Sequence, residues 1–383
     1  MSSTAAIVLI TTSFPLRADG SEAAGTFVAD LALELARSVP VRVVAPGLVR
    51  ARESFSHSVE VFRFAAPEKP LSTLSPMNPR DAARIVQVVR GGRRATLDAV
   101  AAGPTAHQIA LWALPSGAWA RHASMITGVP YSVWTLGSDI WTLGRIPLLR
   151  NYMRRVIRDA KACYSDGLQL ADASARLSGR EVQFLPSARQ LVPTARSLRT
   201  AAPYRLLFLG RWHRNKGVDL LLDSLEHLSA ADWALIEYVT ICGGGPMEEQ
   251  VLRRAHDLAA RGWPVRCRGF LDRRAATEAL EGADYLLIPS RIESIPVVFS
   301  DAMQMGCAVV AMPVGDLPRL VHAGIGEVAT AVTATAFAAA IARALRRSPA
   351  ESAAPMSIVA ARFSIRDVVA PTLLRLGRCQ LDA

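Results

Sequence analysis

The chain has 383 residues, which fits two domains better than one, because single domains usually contain roughly 100–200 residues. Its composition, 51% hydrophobic and 20% charged, excludes a disordered chain and supplies apolar residues for buried sheets. The formal net charge of +11 leaves nucleic acid, anionic lipid and phosphorylated ligands open as partners, and a generally arginine-rich composition could also produce it without any specific partner.

The first half of the sequence alternates short apolar runs with amphipathic stretches of helix length, a pattern typical of βαβ units. The predicted strands are residues 5–11, 41–46, 59–65, 109–114 and 131–136. The predicted helices are residues 25–38, 81–102 and 116–127. Because the strands are nearly continuous hydrophobic runs, we expect them to form a parallel sheet with both faces covered.

Residues 191–203, "LVPTARSLRTAAP", interrupt this alternation and have the composition of a linker. A second alternation follows. Its predicted strands are residues 204–210, 234–242, 265–270, 284–289 and 308–313, and its predicted helices are residues 218–228, 247–261, 274–281, 297–305 and 334–346. Two such arrays predict an α/β chain with two doubly wound, Rossmann-like domains facing a cleft, in which ligands bind at the carboxyl ends of strands.

Segments that would direct the chain to or through a membrane are not recognisable. No stretch reaches 18 uninterrupted apolar residues, and the opening "MSSTAAIVLI" lacks the positive charge that begins a secretory signal. The cysteines are scattered singly, without the spacing of a metal site; they are Cys163, Cys242, Cys267, Cys307 and Cys379. We therefore expect a cytoplasmic protein with reduced thiols and no metal site.

The loop "GRWHRNKG" follows a predicted strand and precedes a helix, and it carries Arg211 and Lys216. Two cations beside a helix start form an anion site, and a pyrophosphate fits it. Only three of the 44 basic residues are lysines, so a lysine here stands out from the arginine background. The alternative is a solvated loop without a ligand.

A second loop of the same kind is "IPSRIESIPVVFSDAM". Pro296 suits a first helical turn and leaves the amides of Val297 and Val298 free to face an anion. Glu293 precedes this helix start and Asp301 lies about a turn and a half inside it. A nucleotide sugar, which has hydroxyl groups on both sides of a diphosphate, matches that order.

Four stretches carry a family resemblance: "GRWHRNKG", "CGGGPMEE", "RGFLDR" and "ADYLLIPSRIESIPVVFSDAMQMGCAVVAMPVGDLP". In order and spacing they resemble the GT-B retaining glycosyltransferases of family 4, also called group 1 glycosyltransferases, over roughly residues 204–345. The first half is similar through "SFPLRADGSEAAGTFVADLALELA" and "GVPYSVWTLGSD". "CGGGPMEE" also invites a dinucleotide-binding interpretation, but Glu248 stands where the third glycine of that motif is needed.

The resemblance implies that a sugar moves from a nucleoside-diphosphate sugar to an acceptor with retention of anomeric configuration. Such sites usually work without a divalent metal or a further cofactor, because cations and helix starts stabilise the leaving diphosphate. It implies an acceptor domain over residues 1–195, a nucleotide-sugar domain over residues 200–360, and a helix within residues 361–383 that crosses back to the first domain.

Residue by residue, the resemblance assigns the donor diphosphate to Arg211 and Lys216, with the amides near Val297 and Val298. Glu293 matches the first acid of the family's Glu-x7-Glu motif, near the transferred sugar.

The remaining matches concern the other parts of the donor. Asp301 matches the second acid, which holds ribose hydroxyls. Gly25 matches the glycine of an N-terminal loop that approaches the donor, and Phe270 with Leu271 match the segment that lines the base.

Several residues depart from the family pattern. The second acid is Asp301 rather than glutamate, and Leu111 and Leu136 stand where histidines are frequent. Asp139 remains as a polar group at the end of a strand and is a candidate catalytic contact with the donor sugar or acceptor. His107 is a further candidate, although a lone histidine in such a stretch is more often structural.

Residues 144–161, "GRIPLLRNYMRRVIRDAK", mix apolar side chains with six basic ones. A basic amphipathic helix can lie on anionic lipid, at the inner face of a membrane, and the alternative is a solvated helix face. No basic motif interleaved with aromatic residues supports nucleic-acid binding.

The sequence therefore predicts a glycosyltransferase that acts on a glycan or lipid-linked acceptor in the synthesis of cell-surface polysaccharide or glycolipid. The departures at Leu111, Leu136 and Asp301 keep open a second hypothesis, a GT-B protein that binds nucleotide or glycan without turnover.

Overall fold

The computed structural model describes residues 5–17, 22, 25–67, 74–75, 77–192, 198–321 and 324–378. Parts of the sequence-based predictions lie outside these residues: the first four residues of the N-terminal segment, the centre of the predicted linker, and Cys379. The chain forms two compact units, Met1–Ser187 with Ile365–Ala383, and Ala188–Ser364.

The first unit contains an eight-stranded sheet in the order β3-β4-β2-β1-β5-β6-β7-β8. Its strands are β1 (Ala6–Ile10), β2 (Val41–Gly47), β3 (Ala51–Ser56), β4 (Val59–Ala65), β5 (Thr105–Leu111), β6 (Tyr131–Thr135), β7 (Cys163–Ser165) and β8 (Gln183–Phe184). All neighbouring pairs are parallel except β3 and β4, which are antiparallel. The sequence does not predict β3, because its residues are mostly polar and lie at the exposed edge of the sheet.

Six helices of the first unit connect these strands: α1 (Thr26–Leu35), α2 (Pro79–Ala101), α3 (Ala118–Thr127), α4 (Ser138–Trp141), α5 (Pro147–Asp159) and α6 (Leu168–Ser178). Asn78 caps α2, with its Oδ1 accepting the amide of Arg80 at 2.9 Å. Gly92 lies within α2 because a Cβ there would be 2.4 Å from the ring of Trp119, which packs edge-on against Phe64. A glycine that weakens the helix thus makes room for a buried tryptophan of the core.

The second unit contains a six-stranded parallel sheet in the order β11-β10-β9-β12-β13-β14. Its strands are β9 (Tyr204–Leu209), β10 (Ile236–Cys242), β11 (Val265–Arg268), β12 (Tyr285–Ile288), β13 (Ala308–Ala311) and β14 (Gly326–Val328). Its helices are α7 (Val218–Glu226), α8 (Ala230–Trp233), α9 (Glu248–Ala260), α10 (Arg273–Glu281), α11 (Val297–Gln304), α12 (Leu317–Val321), α13 (Ala334–Ala344) and α14 (Ala353–Ala361). The last helix of the chain, α15 (Ala370–Arg378), packs in the first unit against β5 and α1.

The predicted α/β architecture of two doubly wound, Rossmann-like parallel sheets is confirmed. Besides β3, the short strands β7, β8 and β14 were not predicted, and β5 spans Thr105–Leu111 rather than residues 109–114. Two further differences have a clear local cause. Strand β10 begins at Ile236 rather than at residue 234, because Ser229 and Asp232 form a capping box that starts α8 in the residues before it. The unit boundary precedes the predicted linker, because Gln304 of α11 binds the backbone of Arg189 and Leu191 and keeps that segment in the second unit. Within the residues that the structure describes, no helix is both long and apolar enough to cross a bilayer.

Candidate functional site

Three loops meet at the carboxyl edge of the sheet in the second unit, after strands β9, β12 and β13. The first and second loops touch at Gly217, where a Cβ would lie 1.9 Å from the carbonyl oxygen of Pro289. The second and third touch at Gly315, where a Cβ would lie 2.3 Å from the carbonyl oxygen of Glu293. Both glycines have positive φ, so the close approach and the backbone conformation each require glycine.

Lys216 and Glu293 form the central ion pair of this edge. The Nζ atom of Lys216 lies 2.5 Å from Oε1 of Glu293, and the Ser290 hydroxyl donates to the same oxygen at 2.9 Å. The lysine side chain is 37% exposed and the glutamate side chain only 11% exposed. A nearly buried carboxylate therefore fixes a partly exposed ammonium group at the end of two strands.

A second ion pair fixes the loop that carries Lys216. Arg291 donates from both terminal nitrogens to the Asp219 carboxylate at 2.7 Å, and its backbone amide donates to the carbonyl of Asn215 at 2.9 Å. Burial acts to raise the pKa of Asp219, but the hydrogen bonds and charge of Arg291 outweigh burial and lower it. The lysine loop is thus tied to the glutamate loop by a planar two-bond contact as well as by Lys216 itself.

Arg211 begins the first loop and is exposed, and no described carboxylate pairs with it. Beneath it, Trp212 is fully buried and its amide donates to the carbonyl of Gly244 at 2.8 Å. A Cβ on Gly243 would lie 1.9 Å from the carbonyl oxygen of Gly210. Gly243 and Gly244 therefore pack closely against the loop that carries Arg211 and fix its position.

Helix α11 starts at this edge with Pro296 as its N-cap, without a side-chain cap. The amides of Val297 and Val298 open the helix, and both residues are partly exposed. Uncapped first-turn amides and the positive end of the helix dipole favour an anion at this position.

Asp301 is fully buried one turn further along α11, and Arg189 binds its carboxylate. The Nε atom of Arg189 donates to Oδ2 at 3.0 Å and to Oδ1 at 3.2 Å, and Nη2 also binds Oδ2. Asp301, the predicted partner of the ribose hydroxyls, therefore contacts a guanidinium group and has no exposed surface in this structure.

Phe270 and Leu271 follow strand β11 at the edge of the same sheet, before Asp272 caps α10. The ring of Phe270 is 56% exposed. An aromatic face that is open to solvent at the carboxyl end of a strand can stack on a planar ring.

Asp139 lies at the carboxyl edge of the sheet in the first unit. Its carboxylate is fully buried and accepts the amides of Ala113 at 2.7 Å and Ile140 at 3.0 Å. Burial raises the pKa of Asp139, and those backbone hydrogen bonds oppose the rise. Trp112, next to Ala113, has φ 73°, which a bulky side chain rarely adopts. In this structure Asp139 fixes that turn, and its contact with a substrate stays a prediction.

Gly25 and His107 also belong to the first unit. Gly25 has φ 73°, and a Cβ there would lie 2.6 Å from backbone atoms of Phe14, so the chain needs glycine at this point. His107 is fully buried inside β5, with Nε2 2.8 Å from the hydroxyl of Ser132, as a structural histidine would be.

The sequence did not identify four residues of the candidate site, namely Asp219, Ser290, Arg291 and Arg189. Ser290 and Arg291 lie in the quoted loop, and their polar character beside Glu293 was the available signal. Arg189 is 112 positions from Asp301, and nothing in its local sequence indicates the pairing.

Comparison with known proteins places the second unit in context. Residues 203–347 match the family model described as "Glycosyl transferases group 1". The D-inositol 3-phosphate glycosyltransferase 1 of Catenulispora acidiphila is 33% identical over 152 residues, which are 38% of this chain and 36% of that protein. The matches span about a third of the length of the first curated relatives.

Solved structures resemble nearly the whole chain. Sucrose-phosphate synthase from Thermosynechococcus elongatus has a TM-score of 0.72 at 17% identity and covers 99% of each chain. HepE of Anabaena, in complex with UDP and glucose, has a TM-score of 0.67 at 17% identity and covers 97% of this chain and 100% of its own. The chain thus has the GT-B architecture of these structures, and its residues 203–347 match a group 1 glycosyltransferase domain.

Proposed function

We propose that the protein is a retaining glycosyltransferase of family 4 that moves a sugar from a nucleoside-diphosphate sugar to an acceptor hydroxyl. The observation that carries this proposal is the Lys216–Glu293 pair, held at 2.5 Å beside the uncapped start of α11. The pair offers a cation to a diphosphate and a carboxylate to sugar hydroxyls. It lies within the segment that matches the glycosyltransferase model.

The donor diphosphate binds Arg211, Lys216 and the amides of Val297 and Val298. The arginine supplies a planar fork and the lysine a compact point charge, so the two bind different phosphate oxygens. These groups stabilise the negative charge that grows on the departing diphosphate, without a metal ion or a further cofactor.

The remaining donor contacts follow the family resemblance. Glu293 accepts hydrogen bonds from the transferred sugar while it positions Lys216. Phe270 and Leu271 line the base, and Gly25 lets the N-terminal loop approach the donor. Asp301 holds ribose hydroxyls in exchange for part of its contact with Arg189.

The reaction needs no protein nucleophile. The acceptor oxygen forms its bond to the anomeric carbon on the face from which the bond to the diphosphate oxygen breaks. The hydroxyl proton passes to that departing oxygen, so the products are the glycosylated acceptor and the nucleoside diphosphate. Asp139 holds the turn at Trp112 in place, and this turn belongs to the part of the first unit that binds the acceptor.

The acceptor is a glycan or a lipid-linked molecule, of the kind used to build cell-surface polysaccharide or glycolipid. In this proposal the protein lies in the cytoplasm, at the inner face of a membrane. Helix α5 is the part of the chain that supports a membrane contact. Its Met153, Val156 and Ile157 face the core, whereas Arg150, Arg154, Arg155 and Arg158 are exposed. An exposed row of arginines is attracted to anionic headgroups.

The test is turnover of a panel of nucleoside-diphosphate sugars by the purified protein in the presence of chelator. We expect release of one nucleoside diphosphate, and NMR of the product should show the anomeric configuration of the donor. Nucleotide binding without release of any sugar would instead support the second hypothesis, a GT-B protein that binds without turnover.

A further inference from the structure

Arg63, near the carboxyl end of β4, is a buried arginine whose side chain is only 3% exposed. Its Nε donates to Oε1 of Glu53 at 2.7 Å, Nη1 to the carbonyl of Pro46 at 3.0 Å, and Nη2 to the carbonyl of Pro15 at 2.7 Å. Each nitrogen of the guanidinium group thus binds a different segment of the first unit: strand β3, strand β2 and the loop that follows β1.

The loop held at Pro15 is the one that contains Gly25. We call residues 11–25, which connect β1 to α1, the N-terminal loop. The guanidinium group of Arg63 also lies over the ring of Phe14, 5.5 Å from its centroid. A Cβ on Gly25 would lie 2.6 Å from the backbone of Phe14. Phe14 therefore connects Arg63 directly to Gly25, which is the N-cap of α1.

Strand β3, the polar strand at the edge of the sheet, supports this contact from the other side. Its Glu53 supplies the countercharge of Arg63, and the ring of its Phe55 packs edge-on against Phe14, with 4.9 Å between the centroids. The pairing register of β3 against β4 shifts at this phenylalanine, and such bulges redirect a side chain. The edge strand therefore contacts both the arginine and the loop.

Other contacts give the N-terminal loop its internal shape. The carboxylate of Glu22 accepts the amide of Leu16 at 2.9 Å and the amide of Arg17 at 3.1 Å. These two bonds lie within the loop and do not tie it to the sheet. A hydrogen bond to a charged group contributes about 1.5–3 kcal/mol, whereas ordering the backbone of one residue costs about 1–2 kcal/mol. Loss of the bond to Pro15 is therefore large enough to release the loop at that point.

We propose that Arg63 is a positioning residue for the glycosyl transfer: supported by β3, it sets the N-terminal loop and Gly25 in place for their approach to the donor. This inference rests on the proposed function and extends it to a residue outside the donor site. Arg63 acts through the loop and not by contact with the donor. The proposal also gives the polar edge strand β3 a role in the reaction.

The test variants are Arg63→Met, which removes all three hydrogen bonds, and Phe55→Ala, which removes only the ring that packs on the loop. The matched control is Arg42→Met. Arg42, near the amino end of β2, donates to the carbonyls of Ala99 and Gly103 at 3.1 Å, so it also ties backbone to the same sheet but at the opposite edge. Urea unfolding measures the stability of each variant.

The first readout is trypsin digestion of the full chain under native conditions, with mass spectrometry of the cut after Arg17, which is exposed. A protease cuts segments that open locally, so a released loop is cut faster. Cleavage after Arg17 should be at least tenfold faster in Arg63→Met than in the wild type, and faster in Phe55→Ala as well. The Arg42→Met control should differ from the wild type by less than about twofold.

The second readout separates turnover from nucleotide binding, with the donor that the panel of nucleoside-diphosphate sugars identifies. Arg63→Met should lower kcat at least tenfold, because a small displacement of groups around a reacting centre can cost about 100-fold in rate. Its affinity for the nucleoside diphosphate should stay within about twofold, because Arg211 and Lys216 are unchanged. A purely structural arginine would instead behave like Arg42 in both measurements.

Equal cleavage after Arg17 in Arg63→Met and Arg42→Met would overturn the inference, because Arg63 would then not hold the loop. Equal kcat in these two variants would also overturn it, because the position of the loop would then not affect transfer. Failure of the proposed function is distinguishable from both results. A wild type that releases no sugar from any donor overturns the role in transfer, whereas the cut after Arg17 still decides whether Arg63 holds the loop.

Discussion

The Nζ atom of Lys216 and the Oε1 atom of Glu293 lie 2.5 Å apart although 77 positions separate them in the chain. Each residue follows a different strand of one parallel sheet, β9 for the lysine and β12 for the glutamate, and these strands are neighbours. The sheet thus brings together a cation suited to a diphosphate and a carboxylate suited to sugar hydroxyls.

The first prediction is that the two residues have separate roles, Lys216 in nucleotide binding and Glu293 in turnover. Lys216→Met should weaken nucleoside-diphosphate binding about tenfold or more, because a hydrogen bond to a charged group contributes about 1.5–3 kcal/mol. Glu293→Gln should keep nucleotide affinity within about threefold but lower turnover about 100-fold, because its carboxylate acts on the sugar. Calorimetry and initial rates measure the two effects.

The matched control is Arg253→Met, which removes an exposed positive charge from α9 in the same unit. Equal loss of nucleotide affinity in Lys216→Met and Arg253→Met would show that Lys216 supplies only general positive charge.

A steric prediction concerns Gly217, whose added Cβ would lie 1.9 Å from the carbonyl oxygen of Pro289. Gly217→Ala should separate the two donor loops, lower stability and weaken nucleotide binding. Gly128→Ala is the control, because Gly128 has φ 73° but no atom within 4 Å of an added Cβ. The free energy of unfolding of the control variant should fall only by the backbone strain, about 1–2 kcal/mol. Urea unfolding that gives the same loss for both variants would contradict the close packing of the loops.

The buried pair of Arg189 and Asp301 should matter for stability. Asp301→Asn should lower the free energy of unfolding by about 3 kcal/mol, because it removes a charged partner of a largely buried guanidinium group. The double variant Arg189→Met/Asp301→Leu should recover part of that loss, since it removes both charges. Glu278→Gln, which breaks the exposed pair with Arg274, should change urea unfolding little. A loss in Asp301→Asn no larger than in Glu278→Gln would count against the buried pair.

His107 gives a pH dependence of stability. Burial, aided by the positive charge of Lys161, lowers the pKa of His107 to about 3 in the folded protein. The unfolded chain takes up the proton near pH 6.5, so the stability that the neutral histidine contributes is present above pH 6.5 and is lost between pH 6.5 and about 3. The slope is at most about 1.4 kcal/mol per pH unit.

The measurement is urea unfolding of the wild type and of His107→Gln at pH 7 and pH 5. The wild type should lose more stability than the variant on acidification, because only the wild type carries this buried titrating group. Parallel losses in the two proteins would exclude His107 as the source.

Helix α5 should bind anionic membranes. Arg150→Gln/Arg154→Gln should reduce cosedimentation with vesicles that contain phosphatidylglycerol, because each basic residue near such a surface contributes about 1 kcal/mol. The control for charge is Arg90→Gln/Arg94→Gln, which removes the same charge from two exposed arginines of α2 in the same unit. Binding to neutral phosphatidylcholine vesicles that equals binding to the anionic ones would argue against an electrostatic contact.

Much of the candidate donor site was predictable, for a physical reason. Alternating strand and helix patterns place the residues after β9, β11 and β12 at one edge, so Arg211, Phe270 and Glu293 could be assigned to the same region. The starts of helices can also be predicted from the sequence, as at Pro296, because proline favours the first helical turn.

Other features depend on contacts that the local sequence does not encode. The pairing of Arg189 with Asp301 depends on how a distant segment packs on α11, and the burial of Asp139 depends on the turn at Trp112. Strand β3 is polar because it lies at an edge, so hydrophobic patterning could not reveal it. Hydrophobic periodicity therefore does not reveal which distant residues pair, or a polar strand at the edge of a sheet.

The most direct test of the central claim is thermal unfolding of the purified protein with UDP, GDP, ADP and dTDP in the presence of chelator, for the wild type and Lys216→Met. A nucleotide at about 100 times its dissociation constant adds about 2.7 kcal/mol to the free energy of unfolding. We predict that one of them raises the wild-type midpoint by several degrees and that the lysine variant loses most of this shift. No shift with any nucleotide, or an equal shift in both proteins, would contradict a donor diphosphate site at Lys216.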